Sequence, residues 1–459
     1  MTRVLVIGKD GRTDCIGEAL TAGGADLSAL SDFEIPGLRK RSSHFCVAKT
    51  DNIAAVLAFV RETKPDLIVV GPEEPLAAGV VDEIQRVFGI PCVGPTKSLA
   101  RIESSKAFAR RLLSKYGIAG NPEHRVFDQM EGIDEYLREL GEFVIKPDGL
   151  TGGKGVKVFG DHLNSIEEAL QYAREIFESS KGPVIVEEKL DGEEFSFQSF
   201  CDGETVVDTI PVQDHKRALE GDRGPNTGGM GSYSCEDGSL PFLKPEHLLA
   251  AKETNAAVAR ALASETGEPY RGILYGGFMA TASGVRLIEY NARFGDPEAM
   301  NVLPLLKSNF LELCMGIATG HLGRLRVEFQ AKATVCKYLV PQGYPDSPVR
   351  NVPIEIPQHE EQWREKGVRM YYAAVRESGG SVILTGSRAL AFVAMADSVY
   401  AASDLAEWAV RQIRGPVVHR SDIGTRALIQ KRVSHMERLA ARPSMLGSHP
   451  YFPLSNLTL

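Results

Sequence analysis

Two stretches of the chain combine residue types that handle phosphate and metal ions. The first is Lys146-Pro147-Asp148-Gly149-Leu150-Thr151-Gly152-Gly153-Lys154-Gly155-Val156. Its glycines let the backbone approach a polyphosphate closely, and Lys146 and Lys154 bring point charges to it. The GxxxxGK(S/T) pattern of a P-loop is absent, and a strand rather than a helix is expected to follow. The bland alternative is a flexible hairpin loop. The second stretch is Leu287-Ile288-Glu289-Tyr290-Asn291-Ala292-Arg293-Phe294-Gly295-Asp296-Pro297-Glu298. Side chains alternate along a strand, so Glu289, Asn291 and Arg293 are expected on one face. A carboxylate and an amide oxygen side by side are hard ligands suited to Mg²⁺ shared with phosphate oxygens. Arg293, one step further, could neutralise a transferring phosphoryl group. The bland alternative here is a strand with one exposed polar face.

Two further stretches carry weaker signals. Val184–Glu188 ends a strand in carboxylates and turns at Asp191-Gly192, so it could offer one acceptor to an adenine amino group and another to ribose hydroxyls. A charged strand end is more often a solvated turn. Gln213-Asp214-His215-Lys216-Arg217 precedes Gly224-Pro225-Asn226-Thr227-Gly228-Gly229-Met230-Gly231, a small-residue loop able to wrap a substrate with main-chain N–H groups. His215 alone is more often a structural hydrogen-bonder, and no role is assigned to it.

The elements that must position these residues change in kind along the chain. Short apolar strands at Val4–Ile7, Asp66–Val70 and Ile90–Val93 alternate with helical spacing at Ile16–Leu20, Asp51–Glu62 and Leu76–Val87, with Asp51 as an N-cap. This pattern predicts a parallel sheet covered on both faces, with ligands collecting at Gly8–Asp14, Gly71–Leu76 and Gly94–Thr96. From Ser104 a helix to Tyr116 is followed by strands at Glu142–Lys146 and Gly155–Phe159 bracketing the glycine loop. A helix at Ile166–Phe177, an antiparallel meander over 194–211, a long helix at His247–Ser264 and strands at Ile273–Ala280 and Val285–Tyr290 come next. Beyond about Val327 short β segments dominate, with one helix at Asp404–Ile413. The Pro/Ser-rich stretch from Arg442 reads as a tail or packing arm.

At 459 residues the chain has room for roughly three domains. Its formal net charge of −8 excludes a large basic field, so nucleic acid is not expected as a partner. Cysteines at 15, 46, 92, 201, 235, 314 and 336 form no close pair, which excludes a CxxC motif and argues for buried thiols in a reducing compartment. The opening residues read as a strand rather than a signal peptide, and no uncharged run is long enough for a membrane span. A cytoplasmic location is expected.

Taken in order, Ser105-Lys106-Ala107-Phe108, the Lys146 loop, Glu187 and Glu194, the Gly224–Gly231 loop and the Glu289-x-Asn291-x-Arg293 strand resemble an ATP-grasp carboxylate–amine ligase. More narrowly, Gly71-Pro72-Glu73-x-Pro75-Leu76, Gln213–Arg217, Gly224–Gly231, Asn291-x-Arg293-Phe294-Gly295-Asp296-Pro297-Glu298 and Arg420-Ser421-Asp422-Ile423-Gly424 resemble the phosphoribosylamine–glycine ligase (glycinamide ribonucleotide synthetase) family. The similarity covers about residues 1–436. It implies an α/β fold: a parallel-sheet N-terminal domain (1–104), an ATP-grasp region (105–326) with a mobile lid (about 122–192), and a small β-rich C-terminal domain (327–436) before a tail (437–459).

The resemblance further implies ATP, Mg²⁺ or Mn²⁺, glycine and 5-phosphoribosylamine as ligands, in a monomer or homodimer. By it, Lys106, Lys146, Gly152, Gly153, Gly155, Glu187, Leu190 and Glu194 bind ATP, with Glu187 at the adenine edge and Glu194 at the ribose. Glu289 and Asn291 hold the metal, and Arg293 and Lys154 act in catalysis. Gly11, Arg12, Glu73, Asp214, Lys216, Asn226, Thr227, Gly228, Gly229 and Asp296 bind substrates. A different amine acceptor, or a nucleotide-binding regulatory homologue with little turnover, are the alternatives.

One loop departs from the family pattern. GxGGREHA is replaced by Gly8-Lys9-Asp10-Gly11-Arg12-Thr13-Asp14-Cys15, and Ile35-Pro36-Gly37-Leu38-Arg39-Lys40 stands where a PGNxG turn is expected. Asp10 and Asp14 would repel a sugar phosphate there. Lys9, Arg12 and the Arg39–Arg41 cluster are expected to compensate as a substitute phosphate cradle, unless Asp14 merely caps the first helix and Asp10 faces solvent.

Overall fold

The structure is a computed structural model describing residues 1–150, 152, 155–180 and 182–442. Gly153, Lys154 and most of the 437–459 tail therefore lie outside the described residues.

The N-terminal region is a parallel sheet of β1 (Arg3–Ile7), β2 (Asp26–Ser31), β3 (His44–Val47), β4 (Leu67–Val70) and β5 (Cys92–Val93), in the order β3-β2-β1-β4-β5. Val4–Ile7 and Leu67–Val70 are buried, as strands covered on both faces must be. The order reverses between β1 and β4, which opens a crevice where the loops after Ile7 and Val70 diverge. β2 and β3 escaped sequence reading because β2 buries Ser28 and Ser31 among its apolar residues.

The helices are α1 (Gly11–Ala22), α2 (Pro36–Arg41), α3 (Ile53–Thr63), α4 (Glu73–Ala78), α5 (Val80–Phe88), α6 (Lys97–Ser104) and α7 (Lys106–Lys115). The single helix expected over Leu76–Val87 is two, broken at Gly79, whose φ of 92° ends α4 in the left-handed region. Asn52, not Asp51, caps α3, its side-chain oxygen accepting the Ala55 N–H at 3.2 Å.

Residues 124–188 form a second body: β6 (His124–Phe127), α8 (Ile133–Leu140), β7 (Phe143–Pro147), β8 (Lys157–Val158), α9 (Ile166–Ser180) and β9 (Val184–Glu188). Its antiparallel sheet runs β6-β9-β7-β8. Ile133, Leu137, Phe143, Ile145, Ala169 and Val184 belong to a hydrophobic cluster separate from the main core. The remaining central sheet, in the order β11-β10-β16-β17, joins β10 (Gly192–Asp202), β11 (Val206–Asp208), β16 (Arg271–Thr281) and β17 (Gly284–Asn291). The long helix α10 (Pro245–Thr266) is tied to it by buried Asn255, which donates to Phe197 O at 3.1 Å and accepts from the Tyr290 hydroxyl at 2.9 Å.

The C-terminal sheet does not begin at residue 327. Its path is β12 (Gln213–Asp214), β15 (Gly231–Ser234), β18 (Ala333–Pro341), β20 (Leu390–Ala396) and β19 (Val368–Tyr372), so two strands come from the central region. Between β12 and β15 lies the hairpin of β13 (Arg217–Leu219) and β14 (Arg223–Asn226). The expected helix at Asp404–Ile413 is α11 (Val399–Val410). It is joined by a short helix at Glu360–Glu365 and by α12 (Arg426–Ala441), neither anticipated. α12 buries only Leu428, Ile429 and Leu439 among many charges, so its apolar face is narrow. All seven cysteines are free thiols, six of them buried. Among the described residues no helix is long and apolar enough to cross a membrane.

Candidate active site

The crevice between β1 and β4 is filled by charge. Asp10 caps α1, accepting the Thr13 N–H at 2.9 Å and the Thr13 hydroxyl at 2.7 Å, and it pairs with Arg12. Asp10 therefore does not face solvent, and Asp14 is not the cap. Arg12 is buried and donates to Phe294 O at 2.5 Å. Gly11 opens α1 against the Tyr338 hydroxyl, where any side chain would collide. Arg293 enters from the other side, its Nε 3.1 Å from Glu73 and its Nη2 2.9 Å from Glu103 of α6. Both arginines thus share Glu73 and the Phe294 carbonyl. Burial would raise the Glu73 carboxyl, but Arg293 and then Arg12 hold it below its usual range. Glu103 goes the other way, pushed up to about 7 by burial despite Arg293 and the Ala292 N–H at 2.7 Å.

The start of the glycine loop, Asp148 and Gly149, docks on α7. Ser105 caps this helix and donates to Asp148 Oδ2 at 3.0 Å, while Asp148 Oδ1 accepts the Ala107 N–H at 3.1 Å. Lys106 donates to Gly149 O at 2.7 Å, and burial lowers its pKa, with Glu289 opposing. Gly152 is exposed, and the Gly155 carbonyl accepts the Tyr172 hydroxyl at 2.7 Å. Lys146 is buried with its ammonium 2.6 Å from Glu187.

Glu187 has partners that its place at a strand end does not announce. Arg110 donates to its two oxygens at 2.6 and 2.9 Å, and Lys146 takes the second oxygen as well. Burial works against ionisation, yet Arg110 and Lys146 bring the carboxyl down to about 2. Three of the roughly four acceptor sites of the carboxylate are thus engaged by two buried cations, and the pair with Lys146 orients that ammonium. Arg110 also donates to Leu287 O at 3.1 Å and Ile288 O at 2.8 Å, which couples this triad to β17.

β17 carries Glu289 and Asn291. Gly277 faces Glu289 and Phe278 faces Leu287, so Ile288 is an extra, bulged residue. The bulge resets the alternation: Leu287 and Tyr290 are buried, whereas Glu289 and Asn291 turn to the open face. Arg293 lies beyond the end of the strand, so its approach comes from the following turn and not from strand alternation. Lys216 lies 3.6 Å from Glu289 and 3.8 Å from Glu194, which also makes Glu194 part of this wall. Leu190 sits between β9 and β10, four residues before Glu194.

The small-residue loop is held from the C-terminal sheet. The Thr227 and Met230 N–H groups donate to Lys216 O and His215 O, and the Gly229 N–H to the Thr227 hydroxyl. These amides are therefore spent inside the protein, contrary to a loop that offers them all to a ligand. Asn226 ends β14 opposite Arg217. Arg388 donates to Gly228 O at 2.8 Å, Gly229 O at 3.1 Å and Asp296 Oδ2 at 2.7 Å, while Tyr338 donates to Asp296 Oδ1 at 2.6 Å. Burial raises the Asp214 carboxyl well above its ordinary range, with Glu298 adding to it. His215 is buried against Tyr233, and burial pushes its pKa down to about 3, as a structural histidine requires.

The expected phosphate cradle is not assembled. Arg41 pairs with buried Asp14, Arg39 donates to Ser42 O at 3.3 Å, Lys40 lies 3.8 Å from Glu360, and Lys9 pairs with Glu74 at 2.8 Å. Asp14 also accepts the Tyr372 N–H at 2.9 Å, so it joins α1 to the C-terminal sheet. Burial pushes its carboxyl up to about 6 from 3.8. The folded chain keeps this proton to a higher pH than the unfolded chain does. Its contribution to stability is therefore complete below about pH 4, declines as pH rises towards 6 and is level beyond, a loss of about 3 kcal/mol. In urea unfolding, the stability of the unaltered protein relative to Asp14→Asn should fall by about 2 kcal/mol between pH 4.5 and 6.5. A difference independent of pH would show that Asp14 stays ionised throughout.

A carboxylate and an amide oxygen at positions 289 and 291 suit a hard divalent cation. Among the described residues no group of three or more His, Cys, Asp or Glu could hold a metal ion unaided. A cation here would take its remaining oxygens from beyond these two side chains, as a bound phosphate can supply, and the donor set fits that arrangement.

A lid-like body with its own core, a lysine at its root and a carboxylate–amide pair on an antiparallel sheet define an ATP-grasp protein. Comparison with known families narrows this. The chain belongs to the phosphoribosylglycinamide synthetase family, whose N domain matches residues 2–103, ATP-grasp (A) domain 104–299 and C domain 334–426. It is 48% identical over 445 residues to a phosphoribosylamine–glycine ligase of Methanocaldococcus jannaschii, covering 95% of this chain and 99% of that one. The crystal structure of phosphoribosylamine–glycine ligase from Thermotoga maritima superposes with a TM-score of 0.76 at 27% identity, covering 92% of this chain and 100% of that one. The biotin carboxylase domain of Hydrogenobacter thermophilus 2-oxoglutarate carboxylase, solved with MgADP and bicarbonate, shares the fold at 15% identity. Its TM-score is 0.70, with 95% of this chain and 94% of that one covered.

Proposed function

We propose that the chain uses ATP to join glycine to 5-phosphoribosylamine, giving glycinamide ribonucleotide, ADP and phosphate in purine biosynthesis. The glycine carboxylate attacks the γ-phosphorus and ADP leaves. The amine nitrogen then attacks the carbonyl of the resulting glycyl phosphate, loses a proton and expels phosphate. Lys106 and Lys146 bind the nucleotide phosphates, with Lys146 oriented by Glu187, and the 149–155 loop covers them. Leu190 and Glu194 line the base and ribose. Arg293, supported by Glu73 and Glu103, faces the developing charge on the acyl phosphate, so catalysis is mainly positioning and neutralisation. Glu289 and Asn291 hold Mg²⁺ or Mn²⁺, which when bound offsets charge on the phosphoryl oxygens.

The observation that carries this reading is the convergence of Lys106, Lys146, Lys216 and Arg293 around Glu289, each of which helps hold its carboxyl below the usual range. Segment 122–192 acts as the lid, since its separate core lets it move as a unit. The enzyme works in the cytoplasm as a monomer or homodimer. Asp10, capping α1 where a sugar phosphate would meet the helix N-terminus, favours a changed amine acceptor as the second reading. ADP release should require glycine and in situ generated phosphoribosylamine together. Glycine-dependent ADP release that only another amine completes would establish the second reading, and no ADP release at all would favour a regulatory homologue.

A further inference from the structure

The family's C-domain match ends at residue 426, where α12 begins. α12 nonetheless reaches the chain segment that leads from the lid into the central sheet. His435 Nδ1 lies 2.7 Å from Glu193 Oε1, and His435 Nε2 lies 3.1 Å from Asp191 Oδ1. Arg432 Nη1 lies 3.3 Å from Glu193 Oε2, and Arg442 donates to Asp191 Oδ2 at 2.9 Å. Glu193 is only 5% exposed, so its two partners act where solvent screens them little. Asp191–Glu193 stands directly between Leu190 and Glu194.

The same helix holds the opposite wall. Arg432 donates to Asp222 Oδ2 at 2.6 Å, and Lys431 reaches Asp222 Oδ2 and Gly221 O, both at 3.3 Å. Arg420 spans Asp222 at 3.1 Å and the Arg217 carbonyl at 3.1 Å. The neighbour of Arg217 is Lys216, which faces Glu194 and Glu289. α12 is thus bonded both to the lid hinge and to the hairpin that carries Lys216.

We infer that α12 is a positioning element of the nucleotide site: through His435 and Arg432 it fixes the Asp191–Glu193 hinge and thereby the base and ribose subsite at Leu190 and Glu194. This rests on the reading that ATP occupies that subsite. A residue that only positions a binding wall affects substrate and transition state alike, so its loss raises KM without lowering kcat.

The test uses the full chain. In His435→Ala the KM for ATP and its calorimetric Kd should rise about tenfold, the scale of one lost charge-assisted hydrogen bond, with kcat and the glycine KM unchanged. His435→Gln, which keeps a donor towards Glu193, should restore part of the loss. Arg426→Ala perturbs the far end of α12, where the guanidinium lies 4.2 Å over the Tyr400 ring, and should leave ATP affinity unchanged. If His435→Ala does not fold, Glu193→Gln puts the same question. Unchanged ATP affinity in a folded variant overturns the inference. So does a parallel fall in kcat, glycine affinity and thermal stability, which would mark α12 as merely structural. If the unaltered protein binds no ATP, the underlying reading fails and the inference with it.

Discussion

The Glu289→Gln, Asn291→Ala double variant is expected to lose ADP formation by about a thousandfold or more with glycine and ATP saturating, while remaining folded. Both side chains turn to the open face of β17, so their replacement removes little packing. The Glu289 carboxyl is under opposing influences. Burial raises it, but Lys216, then Lys146, Lys106 and Arg293 outweigh burial and keep it ionised at any working pH. Neutralising it leaves these four cations without that counter-charge. Nucleotide binding measured without divalent metal should therefore hold or tighten while turnover collapses. That divergence separates loss of the metal ligands from general damage to the site, which would weaken both. Turnover near that of the unaltered protein would remove these residues from the metal site.

The shared face of Glu289 and Asn291 was legible because a Glu-x-Asn spacing in a strand fixes it. The bulge at Ile288 was not, although it decides which face that is. No composition cue marks a bulge, since it follows from how β16 and β17 register against each other. Arg388 was invisible for another reason: it meets Asp296 from 92 residues away. Nothing local distinguishes an arginine that will be buried against a distant aspartate from one that will be solvated. Glu103 and Arg110 share this difficulty, since α6 and α7 place them against Arg293 and Glu187 only in the assembled fold. Asp148 was within reach of the sequence, because Ser105 as an N-cap leaves α7 amides such as Ala107 for a nearby carboxylate. The altered first loop was read as a departure and not as a joint. Its Asp10 and Arg12 form a pair, and its Asp14 is matched by Arg41, so the substituted charges compensate one another.

Glu187 provides the other large effect, and it separates two accounts of the same residue. Its carboxylate lies with Arg110 and Lys146, and the Glu187 and Arg110 side chains are each only 4% exposed. Replacing it with Ala leaves two buried cations without their counter-charge, and removing one partner of such a buried set costs about 3–5 kcal/mol. Urea unfolding of Glu187→Ala should show a loss of that order, and Glu187→Gln a smaller one, because the amide oxygen still accepts one hydrogen bond. Lys146, no longer anchored, should bind the nucleotide phosphates less well, so affinity for ATP and for GTP should fall together. An adenine-reading carboxylate predicts the opposite pattern: stability close to that of the unaltered protein, with the preference for ATP over GTP reduced. The second pattern in Glu187→Gln would return Glu187 to the base. The partners on both oxygens favour the first, because three hydrogen bonds from two buried cations occupy most of the roughly four acceptor sites of the carboxylate.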